Sequence, residues 1–510
     1  MMRPDPRPDG STPSRGASGR PLRGPRQRSA QRPSERGSTT DAARLAAYTV
    51  LRAVAAGGYA NLELPKELRR RGLRGRDAAF ATELTYGTAR MRGLYDPIIA
   101  VAADRPTTRI DEEVLDTLRL GAHQLLGMRV PAHAAVDETV GLSRKVNGAG
   151  ASGLVNAVMR RISAADPAQW LERILPQDDP LARLAIEHSH PEWVVKALRQ
   201  ALLGHGRAGA DSVDAELAAL LAADNEPPRV TLVARPGLAS VEELAAAGAT
   251  PSDHLPIAAT LAGGGDPGAI AAVRDGRAAV QDEGSQAVAL ALAAVPLGPT
   301  GERERWLDLC AGPGGKAGLL AALAAQRGAD FVANEANPQR AELVGSTLRA
   351  AARAAATAGT SLEIRVGDGR AVGDAVASRA EAAYDRVLVD TPCTGLGALR
   401  RRPEARWRRT PADLAALGVL QRQLLDGAIR AAAPGGVVAY VTCSPHLAET
   451  SFIVADVLKR HPEVDQLDAR PFVEAVTHGW SGLLGAGPAV QLWPHVHGTD
   501  AMFLALLRRR

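Results

Sequence analysis

The sequence predicts a multi-domain chain: an all-α N-terminal domain, a small α+β linking domain, and a C-terminal α/β domain on a doubly wound parallel sheet. Apolar residues recur at three-and-four spacing from Asp41 to about Ile162, the period of amphipathic helices. From Arg303 onward, short β-branched runs alternate with helical stretches, which is the rhythm of parallel strands joined by crossover helices. Residues between these two parts mix both patterns. At 510 residues the chain can hold two or three domains, each with its own core.

Residues 1–40 contain nine Arg against Asp5, Asp9 and Glu35, more positive charge than the +5 of the whole chain. Rich in Pro, Ser, Gly and Arg and poor in large apolar residues, this basic tail is expected to be disordered. It suits loose electrostatic attraction to nucleic acid, or equally a solubilising extension. Its seven prolines argue against an amphipathic transit peptide, and it lacks the apolar region of a secretory signal.

Residues 41–165 read as a helical bundle. The stretch "DEEVLDTLRLGAHQLLGM" sets Val114, Leu115, Leu118, Ala122, Leu125 and Leu126 on one face, and similar runs lie at 41–55, 76–102, 134–145 and 151–162. Residues 166–300 form the small α+β domain and linker: Pro191 opens the helix "PEWVVKALRQAL", "RVTLVARP" (229–236) is a strand, and "HLPIAATL" and "GAIAAVRDG" complete the unit. In residues 301–510 strands are expected at 305–309, 330–335, 361–366, 385–390, 436–442 and 501–507. A long helix joins the fourth to the fifth, with Thr410 as N-cap, Pro411 at its first position and Gly435 beyond its end.

Such sheets bind ligands at the carboxyl ends of their strands. The first strand runs into "DLCAGPGGKAGLL", a glycine-rich turn that lets backbone approach a ligand and aims helix N-terminal amides at it. Glu335 ends the second strand, placed to accept hydrogen bonds from a ribose; Asp368 and Asp390 end the third and fourth. Acids at successive strand ends would repel a triphosphate, and "AGPGGK" is neither a GxGxxG nor a GxxxxGK[ST] pattern. A sulfonium cofactor, S-adenosylmethionine, suits this crevice better.

The chain has three cysteines, Cys310, Cys393 and Cys443, too few for a disulfide framework and in keeping with a reducing compartment. No CxxC or HExxH spacing occurs, "HSH" (188–190) and "HVH" (495–497) read as polar surface, and no metal site is expected. The longest apolar stretch, 287–297, is too short to span a bilayer, so no membrane association is expected and the protein reads as cytoplasmic.

Cys393, in "DTPCTGLG", follows Asp390 at the tip of the fourth strand, and Cys443, in "VTCSPH", ends the fifth. A cysteine is by default a small buried hydrophobe. Two of them at neighbouring strand ends, beside an acid and a glycine loop, instead point to nucleophilic chemistry. A thiolate beside a methyl donor suits methylation of an electron-poor carbon such as C5 of a pyrimidine. Addition of sulfur to C6 makes C5 nucleophilic, and loss of the C5 proton then expels the thiol. Asp390 would protonate or hydrogen-bond the ring nitrogen, and the second thiol could serve the elimination. Lys316, one of five lysines in an arginine-rich chain, offers a compact ammonium here, or a loop lysine bound to local carbonyls. Beyond Cys393, "LRRRPEARWRR" (399–409) reads as a phosphate-gripping strip, with Trp407 stacking on a base or packing beneath. A target base must leave its stack, so single-stranded or looped RNA is the natural substrate.

"DLCAGPGGKAG", "DTPCTGLGALRRRPEARWRRT", "VTCSPHLAET" and "HGTDAMFLALL" resemble the signature motifs of the RNA cytosine-5 methyltransferase family, and "QDEGSQAVALAL" (281–292) resembles the segment before its catalytic domain. "TELTYGTARMRGLYD", "RLGAHQLLGMRVPAHAAVDETVGLSRK" and "GLVNAVMRRI" resemble a NusB-like RNA-binding domain. The combination is similar to the bacterial RsmB (Fmu/Sun) branch, which acts on 16S ribosomal RNA of the small subunit. The resemblance spans nearly all of the chain beyond the first forty residues.

It implies a Rossmann-like, S-adenosylmethionine-dependent catalytic domain whose cofactor loop is Cys310, Ala311, Gly312, Pro313, Gly314, Gly315 and Lys316, with Glu335, Asp368 and Asp390 as further cofactor acids. It implies Cys443 as the nucleophile and Cys393 as the thiol that assists product release; the chemistry alone leaves that choice open. Departures are the Ala311–Gly312 pair where two alanines are common, Glu335 where Asp is frequent, and Thr391 in place of a frequent alanine. None removes a reactive group. Small-subunit ribosomal RNA is the expected partner, and a monomer the expected state. The rival readings are an antitermination-like RNA-binding module with an inactive catalytic domain, against which the retained thiols, Asp390 and Lys316 stand, and a nicotinamide-dependent reductase, which would need no thiols.

Overall fold

The computed structural model describes residues 41–510 apart from 129, 262–265, 299–302, 380 and 381; the basic tail lies outside the described residues. The N-terminal part is a bundle of seven α-helices, Ala42–Ala55, Ala60–Arg71, Gly75–Arg90, Arg92–Ala103, Glu112–Leu126, Ala132–Val146 and Ala149–Ile162. The run expected at 76–102 is two helices that meet at Met91. Ala60–Arg71 was not expected, because its polar "KELRRR" end and internal Pro65 hide the apolar period. Val114, Leu115, Leu118 and Ala122 are buried against Tyr95, Ile98, Val155 and Met159, with Leu125 and Leu126 at the rim of that core.

Helices Pro167–Ile174, Pro180–Glu187, Glu192–Gly204 and Val213–Ala223 lead into a four-stranded antiparallel sheet of β1 (Val230–Ala234), β2 (Ala249–Pro251), β3 (Ala258–Leu261) and β4 (Ala278–Val280) in the order β2-β3-β1-β4. Helix Glu283–Ala294 then packs on the next sheet: Ala287, Val288 and Leu292 share one core with Trp306, Leu320 and Phe331.

That sheet contains β5 (Arg305–Asp308), β6 (Asp330–Glu335), β7 (Leu362–Val366), β8 (Tyr384–Asp390), β9 (Ala432–Thr442), β10 (Val464–Leu467), β11 (Val490–Gln491) and β12 (Phe503–Arg509). Its order is β10-β12-β9-β8-β5-β6-β7, with β11 also on β12. The five strands from β7 to β9 are parallel and β12 is antiparallel to β9. Alternation along the strands feeds two cores: Trp306, Phe331, Leu388 and Ala439 face one side, and Leu307, Val332, Val387 and Tyr440 the other. The expected multi-domain fold with a doubly wound C-terminal sheet is therefore what the chain adopts.

Two local expectations are corrected. The long helix Pro411–Ala431 has its Thr410 cap, closed as a capping box with Asp413, but β9 starts at Ala432 and Gly435 lies inside that strand. With φ of +79°, Gly435 sits where the register against β8 shifts between Tyr384 and Arg386, so it serves a bulge rather than a helix end. The histidine clusters are not polar surface: His190 and His497 are buried. Each ring nitrogen Nδ1 finds backbone, His188 O for His190 and the Trp493 amide for His497. Burial pushes both pKa values down, to about 4 for His497, so both rings are neutral inside.

Candidate active site

The turn after β5 carries Cys310 to Lys316 into helix Gly315–Arg327. Gly314 sits at φ +114°, and a Cβ at Gly312 would lie 2.2 Å from Glu335 Oε2, so the loop runs flush against the end of β6. The Glu335 carboxylate accepts the Gly312 amide at 3.0 Å and the Asn337 amide at 2.9 Å. Asp368 caps helix Gly369–Ala377 and is paired with Arg370. Arg340 donates to Gly312 O and lies 3.6 Å from Glu335. The nearby guanidiniums are thus engaged by protein groups, and Glu335, Asp368 and Asp390 line the strand ends with acceptors. Such a set of acceptors suits ribose hydroxyls and a positive centre and does not suit a phosphate, so these residues fit S-adenosylmethionine.

Sequence reasoning overlooked the acid that ends β5. Asp308 is wholly buried, and burial, then the charge of Asp390, pushes its pKa up to about 8. Its folded value lies above its unfolded value of 3.8, so its contribution to stability is full below that pH and is lost as pH rises through 8. Asp308→Asn, which keeps an acceptor for the Cys310 amide, should gain on the wild type across that window. Urea midpoints at about pH 5 and about pH 9 read the difference; a gap that does not grow would show Asp308 ionised in the fold.

The parallel pairing of β8 with β9 brings the two distant cysteines together. Cys393 Sγ lies 3.4 Å from Cys443 Sγ. Lys316, nearly buried, donates to Asp390 Oδ2 at 2.8 Å. Burial opposes the Lys316 charge, but Asp390 outweighs it and the pKa is raised. The thiols are driven apart: the hydrogen bond from Cys393, then the charges of Lys316 and Arg402, lower the Cys443 pKa against burial and the charge of Asp390, while the same contact and burial raise that of Cys393. Of the two, Cys443 is the thiol whose ionisation the surroundings favour. Cys310 is different: burial and the surrounding acids hold its thiol protonated.

The Cys443 loop is braced from the linking helices. His205, just past Glu192–Gly204, has a pKa pushed down to about 4 by burial, and Nε2 of its neutral ring donates to Pro445 O at 2.9 Å. A Cβ at Gly204 would strike Leu447 at 2.5 Å.

The arginine strip corrects the phosphate-grip expectation. Arg400 donates to Gly498 O at 2.6 Å, and Arg401 bridges Asp282 and Asp500. Arg406, fully buried, donates to Ser189 O, Asn225 Oδ1 and Asp224 O. Arg408 reaches Gly58 O, and Trp407 packs beneath the strip with Nε1 on Ala89 O at 3.0 Å. The strip is a staple from the catalytic sheet to the helical domain and linker, because a guanidinium's five donors satisfy carbonyls at helix ends. Arg402 alone of these six is exposed, and its charge reaches Cys443.

Among the described residues no group of three or more His, Cys, Asp and Glu could hold a metal ion, and no helix is long and apolar enough to cross a membrane.

The sheet order, with antiparallel β12 between β9 and β10 and the glycine loop after the central strand, defines a Rossmann-like methyltransferase. Residues 294–508 match the family described as 16S rRNA methyltransferase RsmB/F, and residues 41–164 match the NusB family. A Mycobacterium tuberculosis protein provisionally named a methyltransferase is 51% identical over 96% of this chain and 98% of its own. Ribosomal RNA small subunit methyltransferase B of Pseudomonas putida is 31% identical over 83% and 91%. The crystal structure of PH0851 superposes with a TM-score of 0.73 at 20% identity, over 92% of this chain and 99% of that one, and so shares the fold. The chain belongs to the RsmB/F family of 16S rRNA methyltransferases and carries a NusB-family domain.

Proposed function

We propose that this protein methylates C5 of a cytosine in small-subunit ribosomal RNA, with S-adenosylmethionine as donor, through a covalent bond between Cys443 and C6 of the base. The observation that carries this reading is the pair of thiols 3.4 Å apart beside the Lys316–Asp390 ion pair at the ends of β8 and β9.

C5 of cytosine is too electron-poor to attack a methyl group unaided. The Cys443 thiolate adds to C6, the electron pair of the C5–C6 double bond shifts toward N3, and N3 takes up a proton that Asp390 passes on from the Lys316 ammonium and recovers when the ring is restored. C5 is then nucleophilic. Bound S-adenosylmethionine supplies an electrophilic methyl group, and the residues that would hold it are Cys310 to Lys316, Glu335, Asp368 and Asp390. After transfer C5 carries both a methyl group and a proton. Removal of that proton restores the double bond and expels the Cys443 sulfur: Cys393, 3.4 Å away, gives its thiol proton to the departing sulfur and takes up the C5 proton in exchange. The chemistry requires reduced thiols, which supports a cytoplasmic location, and one chain holds every residue named, which supports a monomer. The NusB-type bundle supports RNA as the partner.

The test is to incubate the purified protein with 16S rRNA transcript and S-adenosylmethionine and to analyse digested nucleosides, with bisulfite sequencing of rRNA from a strain lacking the gene. 5-Methylcytidine at one discrete position, absent from the deletion strain, is the expected result. RNA binding without cofactor binding in calorimetry would instead favour an inactive RNA-binding module.

A further inference from the structure

Each active-site thiol is followed by a hydroxyl residue, Cys393 by Thr394 and Cys443 by Ser444. The loops that leave β8 and β9 therefore touch twice, through the sulfurs at 3.4 Å and through Thr394 Oγ1 and Ser444 Oγ at 3.2 Å. Glu449, in the turn Leu447–Glu449 beyond the Cys443 loop, is completely buried. Its Oε1 accepts the Thr394 amide at 2.8 Å and Gln421 Nε2 at 3.3 Å, and its Oε2 accepts the Thr394 hydroxyl at 2.5 Å. Gln421, on helix Pro411–Ala431, also donates to Pro392 O at 2.9 Å. The carboxylate thus holds Thr394 directly and Pro392 through Gln421, the residues on either side of Cys393. Glu449 is itself tied to β9, its carbonyl accepting the Tyr440 hydroxyl at 2.8 Å.

The donors on this carboxylate are neutral, an amide, a hydroxyl and a side-chain amide, and among the described residues no salt bridge reaches it. A buried carboxylate without a cation is costly unless donors converge on it, and here three do. An amide in its place would turn an NH2 group toward one of those donors. The carboxylate also fixes a direction: the Thr394 proton is committed to Glu449, so Ser444 must donate to Thr394 across the loops. The Glu449 charge further helps to keep Cys393 protonated toward Cys443.

We propose that Glu449 is the positioning residue that holds the Cys393 loop in register with Cys443. It acts through Thr394 and Gln421 and touches neither sulfur. This rests on the covalent reading above, in which Cys393 serves the release of the product. Loss of the Glu449 contacts lets the Cys393 thiol drift, so the release step slows while addition of Cys443 to the base proceeds.

The test compares Glu449→Gln, Thr394→Val and Cys393→Ser in the full chain with 16S rRNA transcript and S-adenosylmethionine. Turnover, KM for RNA, thermal midpoint and the fraction of RNA bound on a denaturing gel are read for each. Glu449→Gln should lower kcat roughly tenfold or more, leave KM within about twofold, and accumulate the protein–RNA adduct; Thr394→Val, which keeps the amide but loses the hydroxyl, should do the same more weakly. If Glu449→Gln does not fold, Thr394→Val carries the comparison. Should Cys393→Ser trap RNA while neither other variant does, or should their turnover fall only with the folded fraction, the Glu449 assignment is wrong. Should Cys393→Ser trap nothing, the covalent reading fails and this proposal with it.

Discussion

Cys443→Ser should leave no 5-methylcytidine above background, a loss of at least about 10³-fold, whereas Cys393→Ser should stop the reaction with RNA covalently attached. The two thiols lie 3.4 Å apart, and a substitution at either removes a sulfur from the same small space. What separates them is their protonation. Cys443 has its pKa lowered by its hydrogen bond with Cys393 and by Lys316 and Arg402, against burial and Asp390, so in the proposed reaction it is the sulfur that attacks. Cys393, with its pKa raised, is the neutral partner in that reaction. A serine hydroxyl in place of Cys443 is far too basic to be ionised at neutral pH and forms no adduct. A serine in place of Cys393 leaves addition and methylation possible but exchanges protons poorly, so the intermediate persists. Methyl incorporation and a denaturing gel, run on both variants, check this. An adduct in Cys443→Ser and none in Cys393→Ser would reverse the assignment.

Much of this site was legible because parallel sheets place strand ends side by side. Cys393 and Cys443 are fifty residues apart, yet each follows a β-branched run, and consecutive strands of a doubly wound sheet usually pair. The glycine turn was legible for a similar reason: it joins a strand to a helix whose apolar face is plain in "AGLLAALAA". Asp308 and Glu449 were not legible. Each is a single acid whose meaning comes from burial, and the partners of Glu449, Gln421 and Thr394, lie 28 and 55 residues away in sequence. The arginine strip was misleading, since a run of guanidiniums that grips phosphates looks the same as one whose partners are backbone carbonyls. Only the fold supplies Ser189, Asp224 and Gly58 as those acceptors. The buried histidines mislead in the same way, because a neutral ring bonded to backbone leaves no mark in composition.

Lys316→Met should lower the methylation rate roughly hundredfold at neutral pH and move the rising limb of the pH–rate profile toward alkali by about one pH unit. Lys316 is the cation paired with Asp390: its ammonium meets that carboxylate at 2.8 Å, and its charge, with that of Arg402, favours the Cys443 thiolate. The reactive species is the thiolate, so the rate climbs as pH rises through the thiol pKa. A cation nearby lowers that pKa and sets the limb at lower pH; removing it raises the pKa and moves the limb up. Methionine matches the length of the lysine stem, so packing survives and the charge alone is lost. Asp390 also loses the partner that, in the proposed reaction, supports its proton transfer to the ring nitrogen, which lowers the plateau as well as shifting the limb. Lys316→Arg keeps the charge but not the compact ammonium, and in a nearly buried position its planar fork should restore the limb without the full plateau. A Lys316→Met profile lowered in height but unmoved along the pH axis would confine Lys316 to orienting Asp390, with the Cys443 thiolate favoured by Cys393 instead.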